Sequence, residues 1–251
     1  MTSPRSRLVR SRTRSSASAP GRGAVVAAVL LVAGSLGACS GSDEKDGADG
    51  PSGKEVLATA KQHLDDTSGF HLALTTPELP DGVSGVLSAE GDLTRAPAFD
   101  GKLKVLFSGL TADVPVISAG GKVYAKIPPL QTRWAEVDPA DYRAPDPARL
   151  IDPEGGVPAW LTAATNVETG KKKREGKTVV TTYTASLPGE AVKSAIPTAV
   201  AQRSFDAEFR IDEDDRLVGG TFTGPFYGSG GDVVYKLAVS DYGLDKDIKA
   251  P

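Results

Sequence analysis

Apolar residues recur with two different periods along this chain. Val56, Leu57, Ala60 and Leu64 fall on one stripe at helical spacing, and Ser52 and Glu55 stand before them in the S-x-x-E relation of a capping box. A helix is therefore predicted over 54–66. After it the period drops to two. Phe70, Leu72 and Leu74 alternate with His71 and Ala73, and Leu103, Val105 and Phe107 with Lys102 and Lys104. Phe205, Ala207, Phe209 and Ile211 form the cleanest strand pattern, and Val233, Tyr235, Leu237 and Val239 close the series. Weaker alternation marks 84–94, 112–119, 122–128, 166–174 and 177–187, with glycine or charged turns between neighbours. Helical spacing returns only around Pro158, with Trp160 and Leu161, and around Gly189, with Ala191, Val192 and Ile196. The proline-rich stretch 138–153 reads as loop with one helical turn near Leu150 and Ile151. These elements describe an α+β protein, a single antiparallel meander with one apolar and one wet face and three short helices.

A sheet of that size must cover its apolar face. The helices bring mainly alanine, valine and leucine, so either the core is filled or a hollow remains beneath the strands. The pattern alone leaves the two equally open. If a hollow exists, its wall is the repeating apolar phase: Leu72, Leu74, Leu103, Val105, Phe107, Val116, Val123, Phe205, Phe209 and Leu237. A slip of one residue would turn all of them to water. Leu103, just after Gly101, is expected near one end of its strand, beside an opening.

The N-terminal region follows a different logic. Its first 38 residues hold six arginines (Arg5, Arg7, Arg10, Arg12, Arg14, Arg22), no acidic residue, and an uncharged apolar run over 24–36. That is the order of an export signal, and the run is well short of the roughly 20 residues a permanent membrane helix needs. Residues 36–39, Leu-Gly-Ala-Cys, resemble the lipobox of bacterial lipoproteins, which makes Cys39, the only cysteine, an acylation point. The stretch 40–53 is polar and glycine-rich and reads as a tether. The expected domains are thus a signal peptide (1–38), a lipidated cysteine with its tether (39–53), and one domain over 54–251. Without the six signal arginines the 29 basic residues become 23, against 32 acidic ones. So acidic a body disfavours nucleic acid as a partner.

Candidate chemistry is sparse. Neither histidine, His63 or His71, accompanies a G-x-S-x-G elbow, and no H-x-x-x-H or cysteine pair offers metal ligands. No catalytic residue, metal site or cofactor is therefore assigned. The acidic run Asp212 to Asp215 reads as a solvated hairpin tip. The basic run Lys171, Lys172, Lys173 and Arg174 reads as a charged turn keeping a sheet edge soluble, with contact to lipid headgroups as the sharper alternative. Trp134 and Trp160 fit either a core or the rim of a cavity.

Three stretches carry a resemblance. "VYAKIPPLQTRWAEVDPADYRAPDPARLIDPEGGVPAWLTAATNVETG" (123–170), "GDLTRAPAFDGKLKVLF" (91–107) and "TYTASLPGEAVKSAIP" (182–197), in that layout after a lipobox and tether, resemble the actinobacterial LppX/LprA/LprF/LprG lipoprotein family. The resemblance implies a strongly bent antiparallel sheet, a half barrel, with a few helices on its concave side enclosing an apolar cavity. It implies a non-enzymatic carrier of acylated lipids or glycolipids across the cell envelope, held at the extracytoplasmic face of the cytoplasmic membrane through acylated Cys39. A monomer working with an export permease is the expected arrangement. The other possibility is a passive, partner-binding envelope lipoprotein with a filled core and no cargo.

Overall fold

A computed structural model describes residues 50–228 and 230–251. The expectations for the signal peptide, for Cys39 and for the tether as far as residue 49 lie outside the described residues. Ala48–Pro251 forms a compact unit that holds every helix, strand and core residue described below, and so has what it needs to fold by itself.

The first helix, α1 (Gly53–Asp66), begins where the capping box places it. The Ser52 hydroxyl accepts from the Glu55 N–H while the Glu55 carboxylate accepts from the Ser52 N–H at 2.7 Å. Those bonds satisfy donors that a helix start leaves open. Val56, Leu57, Ala60 and Leu64 are its buried face.

Six strands follow: β1 (Gly69–Thr75), β2 (Gly85–Thr94), β3 (Ala98–Phe107), β4 (Leu110–Ala119), β5 (Lys122–Ile127) and β6 (Gln131–Val137). Two 3-10 turns, Pro139–Tyr142 and Pro147–Ile151, lead to α2 (Val157–Ala163) and the hairpin β7 (Thr165–Glu175) and β8 (Thr178–Pro188). After α3 (Gly189–Ala195) come β9 (Ser204–Asp212), β10 (Leu217–Gly224) and β11 (Val233–Ser240).

All eleven strands join one antiparallel sheet in the order β6-β5-β4-β3-β2-β1-β11-β10-β9-β8-β7. The single meander expected from the pattern is therefore two meanders sewn together where the first strand pairs the last, His71 opposite Ser240 through Thr75 opposite Lys236. The chain reaches the far edge through the 3-10 turns and α2. Nothing local announces such a seam, because turn residues report only neighbouring strands.

Two strands carry too little pattern to be expected. β6 (QTRWAEV) is an edge strand with no run of alternating apolar residues, and β10 (LVGGTFTG) has glycines where its apolar phase should be. The basic run Lys171 to Arg174 lies within edge strand β7, not at its turn, which is Gly176 at φ 61°. β7 is exposed over nearly its whole length, and charge there blunts an open edge.

Register puts one face of the sheet against the helices. Across its middle run Leu237, Leu74, Ala89, Leu103 and Val114, each opposite the next. Above them lie the helices, with Trp160 of α2 edge-on to Phe222 at 5.1 Å and donating its Nε1–H to the Ala191 carbonyl at 3.0 Å. Trp160 is thus a core residue with its polar atom satisfied. Trp134, on edge strand β6, instead lies under Lys126, whose Nζ is 4.7 Å from the ring centre.

Candidate functional site

The ten expected wall residues share one phase of the sheet, and nine of them pack in or against a single apolar cluster. Phe205 and Phe209 are fully buried, with Phe209 edge-on to Phe222 at 5.6 Å. Phe107 differs: it is 55 % exposed, at the end of β3. Leu103 is buried in the middle of β3 between Ala89 and Val114, so it does not stand at an opening. Gly101 before it is itself a mid-strand residue, opposite Gly91, where the two backbones lie close under the ring of Phe99.

The opening lies instead at the other end of β3. A pocket of about 720 Å³ sits between the 3-10 turn Pro147–Ile151 and the turns joining β2 to β3 and β4 to β5. Ala96, Pro97 and Ala98 line one side, Ala119, Gly120 and Gly121 another, and Ala148 and Ile151 the turn above. Ile248 of the C-terminal tail closes a fourth side. Arg95, Arg149, Asp146 and Asp152 complete the lining. Its size falls in the range of ordinary ligand pockets, with apolar walls and a few polar groups. Val123, from the expected wall, borders a second recess of about 570 Å³ beside Glu136 and Asp138.

Local sequence explains how this corner is held. Asp146 caps its 3-10 turn, the carboxylate accepting from the Ala148 N–H at 3.0 Å, and Pro147 occupies the first turn where no N–H is needed. Arg95 reaches the carbonyls of Leu64, Thr67 and Ile151, tying α1 and the 3-10 turn to the β2–β3 connection. The tail is strapped on by Lys246, which bonds Asp92 at 2.7 Å and Asp100 at 2.9 Å. Asp92 also accepts from His71 at 2.8 Å. Burial by itself would raise the Asp92 carboxyl, but the bonds from His71 and Lys246 outweigh it and hold it below the usual carboxylate range. Hydrogen bonds to Asp92 and Asp100 raise Lys246 in turn. His71 is therefore occupied structurally.

Pattern reading missed these pocket residues because they are small and sit in turns, where no periodicity marks them. The only available signal was the cluster A-P-A and A-G-G at two hairpin ends, which allows close approach but does not require a cavity.

The LppX_LprAFG lipoprotein family matches residues 52–248, nearly all of the described unit. The chain belongs to the LppX_LprAFG lipoprotein family. Within it, the chain is 30 % identical over 135 residues to the lipoarabinomannan carrier protein LprG of Mycobacterium bovis and of Mycobacterium tuberculosis. That match covers 53 % of this chain and 56 % of LprG, so it spans about half the length of these curated relatives. Two solved family members share the fold. LprF from Mycobacterium bovis superposes with a TM-score of 0.64 at 14 % identity, over 79 % of this chain and 96 % of LprF. LppX from Mycobacterium tuberculosis gives 0.56 at 18 % identity, over 78 % and 98 %. For an LppX_LprAFG protein, the large open antiparallel sheet with three helices is thus the family architecture.

Proposed function

We propose that this chain is a membrane-anchored lipoprotein that binds acylated lipid or glycolipid in apolar space between its helices and the concave side of its sheet. It helps carry that cargo across the cell envelope, anchored through acylated Cys39 at the extracytoplasmic face of the cytoplasmic membrane. The observation that carries this is the pocket of about 720 Å³ under Pro147–Ile151. Its walls are mostly turn residues and strand ends, so an acyl chain entering there need break no mid-strand pairing. The naming of LprG as a lipoarabinomannan carrier supports a lipid or glycolipid as cargo.

A carrier answers a definite energetic problem. Each methylene moved from acyl surroundings into water costs about 0.8 kcal/mol, so a sixteen-carbon chain costs on the order of 12 kcal/mol to expose. A pocket that replaces those contacts step by step removes most of this barrier.

The fully buried aromatic side chains Phe205, Phe209 and Phe222 favour, as the second function, a passive lipoprotein with a filled core. One comparison separates the two. Ala119→Trp adds an indole at a residue lining the pocket, and Lys102→Trp places one on the wet face of β3. Purified Ala48–Pro251 and both variants are examined for bound lipid by native mass spectrometry and for thermal midpoint. The carrier gives lipid on the parent and on Lys102→Trp, none on Ala119→Trp, and near-native melting throughout. No lipid on any of the three, together with failure to bind an apolar fluorophore, is the passive result. Melting depressed by the 1–3 kcal/mol typical of overpacking would show that the pocket has no room to spare.

A further inference from the structure

The most exposed large apolar side chains of the described unit lie on two neighbouring hairpins. Phe107 and Leu110 flank the β3–β4 turn at 55 % and 76 % exposure, and Leu130 tops the β5–β6 turn at 89 %. Strand register puts both turns at the same end of the sheet. None of these side chains belongs to the core cluster, and exposed apolar clusters mark contact surfaces.

The strands beside them carry an excess of basic residues. From 102 to 133 the chain carries Lys102, Lys104, Lys122, Lys126 and Arg133 against Asp113 alone, although basic residues number 29 and acidic ones 32 overall. Lys104 lies three residues before Phe107, and Lys126 and Arg133 lie on either side of Leu130. The adjacent 76–84 loop holds Glu78 and Asp81, Asp113 stands opposite Lys104, and Lys122 pairs with Glu136 at the far end, so the basic residues near the tips are Lys104, Lys126 and Arg133.

The start of α1 lies toward the same end. Gly53, the first residue of α1, packs against Val167, Thr169 and Tyr183, in the half of the β7–β8 pair that points the way the tips point. The pocket at Ala98 and Ala119 is at the opposite end of β3 and β4, about 30 Å away for strands of this length.

We propose that the β3–β4 and β5–β6 tips form a membrane-docking edge, inserting Phe107, Leu110 and Leu130 among the headgroups of an anionic phospholipid bilayer while Lys104, Lys126 and Arg133 meet lipid phosphates. Apolar tips with basic residues close behind them are the chemistry of interfacial binding. No helix among the described residues is long and apolar enough to cross a membrane, and such tips need none. Docking in this pose leaves the pocket facing away from the bilayer, toward an acceptor.

The Ala48–Pro251 unit contains no cysteine, so Leu130→Cys carries a single environment-sensitive dye at a tip and Lys172→Cys carries one on β7. Vesicles of phosphatidylglycerol with phosphatidylethanolamine should shift the emission of the tip dye to the blue and leave the β7 dye unchanged. Sedimentation with the same vesicles should fall at least tenfold for Leu110→Ser with Leu130→Ser, and for Lys104→Gln with Lys126→Gln, at unchanged melting. Replacing the anionic lipid by phosphatidylcholine should weaken binding in the parent. An unshifted tip dye, equal shifts at both sites, or undiminished sedimentation of the variants overturns the proposal. So does a tip shift that appears without vesicles together with dimerisation, which would make the edge a contact between copies. These readouts are independent of whether the pocket holds cargo.

Discussion

Ser118 is a polar side chain in an apolar place. It is 1 % exposed on the inner phase of β4, opposite Phe99 and Val123, and its hydroxyl finds no hydrogen-bond partner among the described residues. A buried hydroxyl without a partner costs about 1–3 kcal/mol in lost hydration. Ser118→Ala should therefore raise the denaturant midpoint, with a gain of about 1 kcal/mol and an unchanged slope. A fall in midpoint would mean that the hydroxyl has a partner in solution. Gly101 works the other way. A Cβ there would sit 2.2 Å from the Glu90 carbonyl oxygen and 2.6 Å from the Phe99 ring, and backbone cannot step aside as a flexible side chain could. Gly101→Ala should destabilise the unit by about 1–3 kcal/mol, read from the same denaturation curves.

Among the elements, the tail beyond β11 is held first by the N–H groups of Gly243 and Leu244, which both donate to the Gly69 carbonyl, and then by charge. Lys246 grips Asp92 and Asp100 while Ile248, two residues on, reaches the pocket. The depressed carboxyl of Asp92 contributes stability that is complete above the ordinary carboxylate value, about 3.9, and is lost as pH falls through its lower folded value. The raised ammonium of Lys246 contributes below about 10.4 and loses its contribution as pH climbs through its higher folded value. Amide protection over 244–248 should thus hold steady between roughly pH 4 and 10 and decline outside that window. Lys246→Ala should lower that protection, leaving the part that the Leu244 N–H bond to Gly69 supplies, and weaken binding of an apolar fluorophore at the pocket. Partly exposed ion pairs contribute little to global stability, so its denaturation midpoint should move by less than about 1 kcal/mol. Unchanged protection in the variant would show that the tail is held by something else.

For the molecule as a whole, two ends of one sheet are given different surfaces, small-residue walls at one and apolar basic tips at the other. If the proposed anchor is Cys39, Cys39→Ser should move the protein from the membrane fraction toward the soluble fraction without altering its fold. Two or three acyl chains hold a protein stably, whereas headgroup docking alone is reversible and is weakened by salt. The remaining membrane-bound fraction should therefore wash off at high salt. Retention after that wash would remove Cys39 as the anchor.

The elements themselves were readable along the chain wherever side chains alternate or fall on a stripe. The capping box at Ser52 and the alternation in β9 mark their elements because burial on one face dictates residue type position by position. Family membership could be read in the same way, from an ordered set of segments. Tertiary structure alone decided the seam between β1 and β11, since the hydrogen bonds that make it join residues far apart in sequence. It also decided that Leu103 is central and that the pocket opens beside Ala98 and Ala119. Alternation tells which face a residue occupies, but not how far along the sheet it lies from an opening. That depends on where neighbouring turns and the 3-10 segment come to rest, and small residues in turns carry no period from which to foresee it.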